Sequence, residues 1–170
     1  MKPTDLLPAD AWAALEHELA ERSGLNSVVY DAGNNRVTDT VTWANELCPG
    51  IKGNPDSASQ ICALAQQNML AAAAKTGKPM IEECDAGMLK VVVSILLEGE
   101  LVGSVSGCGR LDPGSELETD YIAQATGLTP EEVATMARSI QPITEEQAEE
   151  HAAHIIERIQ RIIADRGVSG

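Results

Sequence analysis

The chain has no phenylalanine, and its aromatic residues are limited to Trp12, Trp43, Tyr30 and Tyr121. The core of these 170 residues must therefore be built from Ala, Val, Ile, Leu and Met. Cations are scarce as well: 12 Lys and Arg stand against 26 Asp and Glu, a formal charge of −14. Phosphate binding needs a Lys/Arg surface, and single-strand binding adds stacking aromatics, so the composition argues against direct nucleic-acid contact. The acidity serves solubility. No apolar run approaches the ~20 residues that cross a bilayer. Met1 to Asp5 lack the apolar stretch of a signal peptide. The expectation is a cytoplasmic protein without membrane contact, in which thiols stay reduced.

Recognisable catalytic and metal-binding signatures are also missing. No Cys-x-x-Cys pair, no Ser–His–acid arrangement at an elbow and no phosphate loop occur. Gly103 to Gly107 reads as strand. His17, His151 and His154 fall on the first and last helical stretches, where they read as solvated or interface residues. A thiol enzyme would need a base beside its thiolate, and no histidine is placed for that. The chain reads as a non-enzyme.

What is present concentrates between Cys48 and Leu111, a stretch that holds all four cysteines, Cys48, Cys62, Cys84 and Cys108. Ahead of it, 3.6-residue spacing predicts a helix over 9–22, carrying Trp12, Leu15 and Leu19 on one face, with Asp10 at its start and Gly24 ending it. A strand over 26–30, the turn Asp31 to Asn35 and a returning strand over 36–40 form a hairpin. The loop 48–55, with two Pro and two Gly, places Cys48 on irregular backbone. A helix over 57–76 is capped by Ser57 and Gln60, carries Cys62 in its second turn and stops at Gly77. Strands follow over 80–84, 89–97 and 101–108, the last two joined by Glu98-Gly99-Glu100. Short helices over 116–126 and 130–138 lead to a long one over 144–166, capped by Thr144 and Gln147. Its stripe of Ala148, Ala152, Ile155, Ile159 and Ile162 suits the protein's own sheet, a dimer seam, or both.

This order, and the block from Cys62 through Gly77-Lys78-Pro79, Glu83-Cys84-Asp85-Ala86-Gly87-Met88, Val93-Ser94-Ile95, Glu98-Gly99-Glu100 and Ser106-Gly107, resembles the PocR sensory domain, a PAS-like family of bacterial regulators. The likeness runs from about Leu6 to the terminal helix. Cys48 falls where the family tends to carry an earlier cysteine. Asp85 stands where the family usually has His, Ser94 where Pro is common, and Cys108 where it has Gly.

The resemblance implies an α+β fold, a five-stranded antiparallel sheet with a helical crossover and flanking terminal helices. The chain reads as a sensor unit, 1–142, and a C-terminal signalling or dimerisation helix, 143–170, that is part of the same domain or extends it. The resemblance also implies a domain that binds a small organic molecule, such as a diol or another hydrocarbon derivative, over its sheet and drives a kinase or transcription regulator, here as a homodimer. Candidate ligand contacts are Cys84, Asp85, Met88, Met69, Met80, Cys108 and Glu83: methionines as adaptable lining, carboxylates as acceptors for hydroxyls. The alternative is a metal or redox sensor in which Cys48, Cys62, Cys84 and Cys108 hold zinc or an iron–sulfur cluster. Cys62, near a helix N-terminus, would then be a favoured thiolate. The remaining possibilities for the thiols are a redox pair and plain packing.

Overall fold

Four strands and the helices around them carry the chain in a computed structural model that describes residues 1–168. Ser169 and Gly170, the end of the expected 143–170 segment, lie outside the described residues. Helix α1 (Ala9–Ser23) ends at Gly24, whose φ of 69° suits glycine, and leads into strand β1 (Asn26–Asp31). After a long loop come α2 (Leu47–Gly53), the turn α3 (Pro55–Ser57), a π-helical stretch (Ala58–Ala63) and α4 (Leu64–Thr76). Strands β2 (Met80–Glu83), β3 (Leu89–Leu97) and β4 (Glu100–Arg110) follow, then α5 (Thr119–Thr126), α6 (Pro130–Ala137) and α7 (Glu145–Val168).

The sheet is antiparallel in the order β1-β4-β3-β2. Four strands occur among the described residues, where five were expected. Residues 36–40 make only a single bridge, Tyr30 to Arg36, although the turn before them forms on the Asp31 side chain, which accepts from the Gly33 and Asn35 amides. The outer edge of β1 is satisfied differently. The Ser27 amide donates to Thr42 Oγ1 at 2.9 Å and the Val29 amide to Glu16 Oε1 at 2.7 Å. Thr38 donates to the same Glu16 carboxylate. A buried carboxylate and two threonines thus complete the edge in place of a strand.

Alternation divides the sheet into two unlike faces. Val29, Val91, Val93, Ile95 and Val105 pack against Trp12, Leu15 and Leu19 of α1 and Ala148, Ala152, Ile155 and Ile159 of α7. The α7 stripe therefore lies on the chain's own sheet. Its cap forms as expected: the Thr144 amide donates to Gln147 Oε1 at 3.0 Å and the Gln147 amide to Thr144 Oγ1 at 3.1 Å. The Thr129 cap of α6 also forms. Of the histidines read as solvated or interface residues, His151 is not solvated: it is buried at 4% exposure on α7. The opposite face meets α4, where Gln66 bridges Ser104 at 3.1 Å and Ser106 at 2.8 Å, and Met69 and Leu70 cover Val92. A third cluster, built by α2, α5 and α6 around Leu47, Ile51, Ile61, Met88, Ile122 and Val133, closes one end of that face.

Candidate functional site: a chamber walled by four cysteines

All four cysteines line one cavity between the sheet end and the α2–π-helix elbow. Each arrives on a different element, and each arrival has a local cause.

Cys48 sits in α2, on regular helix and not in a loop. The correction follows from Asn45, whose Oδ1 accepts the Leu47 and Cys48 amides at 2.8 Å each and so starts a helix through a Pro-Gly sequence. Cys62 lies in the π-helical stretch. The expected Ser57–Gln60 cap is replaced by Asn54, which accepts the Asp56 and Ser57 amides, while Ser57 Oγ donates to Ile51 O at 2.6 Å. The helical run thus begins earlier, at Pro55, and the wider π turn sets Cys62 at the chamber.

Cys84 opens the turn after β2. Its amide donates to Met88 O, and the Gly87 amide donates to Cys84 O, each at 2.8 Å. Gly87 has φ 93°, and a Cβ there would stand 2.5 Å from Glu116 O, so only glycine fits. Cys108 faces Lys90 across the β3–β4 ladder. The register then shifts, with Gly109 as the extra residue at φ 105°. Its carbonyl accepts Asn45 Nδ2 at 2.7 Å, and a Cβ on it would meet Ala44 at 2.8 Å and Cys48 Sγ at 3.8 Å. The bulge therefore lets the Cys48 helix close against β4.

The remaining walls are Ile51, Ile61, Met88, Lys52 and Lys90, around a void of about 30 Å³. Since that is the space a water's centre can reach, the void itself extends about 1.4 Å further to its walls. Met88 Sδ lies 3.8 Å from Cys48 Sγ, and Asn45 Nδ2 reaches Cys48 Sγ at 3.4 Å. Burial pushes the Cys48 thiol up to about 12, with the neighbouring Cys108 adding to it. Burial also raises Cys62, to about 11, against the pull of Lys52. The thiolate expected of Cys62 is corrected on this ground: it lies beyond the first turn, where a helix dipole acts, and desolvation dominates. Cys84 is raised by burial too, although the Ala86 and Met88 amides donate to it.

The lysines were not anticipated. Lys90 is 4% exposed, and a lysine beginning an apolar strand on the same face as Cys108 was the available signal. Burial works to lower Lys52, but the fields of Tyr30, Cys108 and Cys62 raise it above its ordinary value, and its ammonium sits 6.0 Å from the Trp43 ring centroid. Neither lysine takes part in an ion pair found among the described residues.

The ligand residues expected from sequence separate into three places. Cys84, Met88 and Cys108 line the chamber. Glu83 and Asp85, both exposed, line an open hollow of about 380 Å³ on its outer side, together with Cys84, Gly87, Glu118 and Tyr121. Cys84 is the wall between the two. Glu83 accepts from Ser115 Oγ. Met69 and Met80 lie elsewhere, in the small cluster over Val92. Among the described residues no three His, Cys, Asp or Glu side chains gather closely enough to hold a single metal ion. The thiols surround a space; they do not meet at a point.

A family model described as the sensory domain found in PocR matches residues 5–168. The chain belongs to the PocR sensory-domain family. No curated protein and no solved structure matches it. As a PocR sensory domain it is a sensing module of signal transduction, and its thiol chamber lies on the sheet face that the crossover helix covers. No helix of the described residues is long and apolar enough to cross a membrane.

Proposed function

We propose that this PocR domain senses a small organic molecule, a diol or another hydrocarbon derivative, in the region centred on Cys84. The domain acts in the cytoplasm, without catalysis, and passes the signal through α7 as a homodimer to a kinase or transcription regulator. The observation that carries this reading is the shared wall: Cys84 belongs both to the open hollow, where Glu83 and Asp85 offer acceptors for hydroxyls, and to the apolar chamber, where Met88 and Cys108 offer soft lining. A ligand seated there would press on the 84–88 turn. That turn is tied to the start of α5 by the Glu118 amide, which donates to Ala86 O at 3.0 Å. Signalling requires that the ligand favour one of two arrangements.

A calorimetric screen of small alcohols, diols and carboxylates against the oxygen-free protein tests it. Binding that weakens at least tenfold in Asp85→Ala is expected. A binder unaffected by Asp85→Ala and Met88→Ala would place the site elsewhere.

A second reading has its own observation. All four cysteines of the chain share one chamber, which packing alone does not require. On this reading the thiols hold a metal centre, and the chain senses metal supply or redox state.

A further inference from the structure

We infer that the chamber is built for a four-iron, four-sulfide cubane cluster ligated by Cys48, Cys62, Cys84 and Cys108. This rests on the thiol-centre reading above and decides which centre it is.

The first argument is spacing. A tetrathiolate zinc at ~2.3 Å from each sulfur needs its four sulfurs within about 3.8 Å of one another. No three acidic, imidazole or thiol side chains among the described residues come together in that way. A cubane presents a separate iron to each cysteine, so its ligands stand apart around a body. Four thiols lining one void have that arrangement.

The second argument is charge. A cubane core of charge two plus with four thiolates is a dianion. The chamber carries two ammonium groups, Lys52 and Lys90, the latter buried, and no carboxylate lines it. Without a centre the two cations have no acidic partner in the chamber lining. With the dianion bound, each ammonium gains a counter-charge.

The third argument is the surroundings. Cluster sulfur and cysteine thiolates are stabilised by N–H donors and by exclusion of water. Asn45 Nδ2 points at Cys48 Sγ at 3.4 Å, and the Ala86 and Met88 amides donate to Cys84. Ile51, Ile61 and Met88 supply the apolar seal. Asn45 also closes the β4 bulge through Gly109 O, so one side chain sets both the backbone and the donor.

Loading is ligand exchange and transfers no electron. A preformed core leaves small-molecule thiolates; at each corner a cysteine S–H bond breaks, an iron–sulfur bond to the cysteine forms, and the departing thiolate takes the proton.

The test is protein purified without oxygen, followed by exchange with a synthetic cubane bearing 2-mercaptoethanol ligands. About four irons and about four acid-labile sulfides per chain are expected, with a Mössbauer spectrum of a cubane and a paramagnetic signal on dithionite reduction. Cys108→Ala should lose most of the iron while its metal-free form keeps the wild-type circular dichroism and melting curve. Lys90→Met, which removes no ligand, should still load but lose its cluster several-fold faster in air. Should Cys108→Ala fail to fold, the Lys90→Met comparison carries the test. One zinc and no sulfide per chain would overturn the cubane and keep a thiol centre. Metal-free protein with four reactive thiols that takes up no cluster would overturn both.

Discussion

The two faces of the sheet are built on different principles. Under α1 and α7 the contacts are almost wholly apolar, and Trp12, Leu19, Ile95 and Ile155 are fully buried. Under the crossover helix lie hydroxyls, an amide, a buried lysine and, at one end, four thiols. Apolar burial stabilises in proportion to area, whereas polar groups stabilise only when every partner is in place. One face holds the fold; the other keeps chemistry available within it. On the proposed function the second face is the reading face, which must change without unfolding the module.

The contrast can be broken most severely at Trp12. Trp12→Ala removes the largest side chain of the supporting face and its indole hydrogen bond to Pro3 O at 2.9 Å. A loss of about 3–5 kcal/mol is expected in urea unfolding, against under about 1 kcal/mol for Cys62→Ala in metal-free protein, where a half-buried thiol is trimmed to a smaller apolar group. Equal losses would remove the distinction.

His151 gives the next effect, and it belongs to the supporting face. Burial holds its pKa down at about 4 from an ordinary 6.5, with His154 and Arg22 adding to the shift. Both ring nitrogens are buried without a hydrogen-bond partner among the described residues. Above pH 6.5 the stability from keeping this ring neutral is fully present. Below that the unfolded chain takes the proton first, so stability falls as the pH drops toward 4, by up to about 3 kcal/mol. Urea midpoints over this range should fall, and His151→Leu should flatten the curve. The chamber thiols, raised instead, should leave this window unchanged.

Gln66 sharpens the comparison from the reading face. Gln66→Leu leaves the Ser104 and Ser106 hydroxyls without their side-chain partner and should cost about 1–3 kcal/mol. A neutral result would mean that this face is as indifferent to polarity as its opposite.

Much of this layout was legible in the order of residues. Periodicity and caps placed α1, α4, α6 and α7, because Gly24, Gly77, Thr129 and Thr144 act locally. The fifth strand was misread because a local turn signal cannot reveal that Glu16, a helix residue, completes the β1 edge. Cys48 was misplaced for a related reason: Pro49 and Gly50 mark a loop unless Asn45 caps a helix through them. The four cysteines were recognised as one candidate set from their sequence neighbourhood. Their spacing carries no knuckle, however, and only the Gly109 bulge and the π-helical stretch bring them around one void. Lys52 and Lys90 went unnoticed since a cation's partner is a tertiary fact. Met69 and Met80 read as pocket lining by type, but the packing of α4 and the β2–β3 register place them over Val92 instead.

The most direct measurement of the central claim, that four distant cysteines form a single site on the reading face, is alkylation followed site by site with mass spectrometry. Protein isolated without oxygen would be labelled before and after a strong iron chelator. The account predicts that Cys48, Cys62, Cys84 and Cys108 are protected together and released together. Cysteines that label independently, or show no change on chelation, would contradict it.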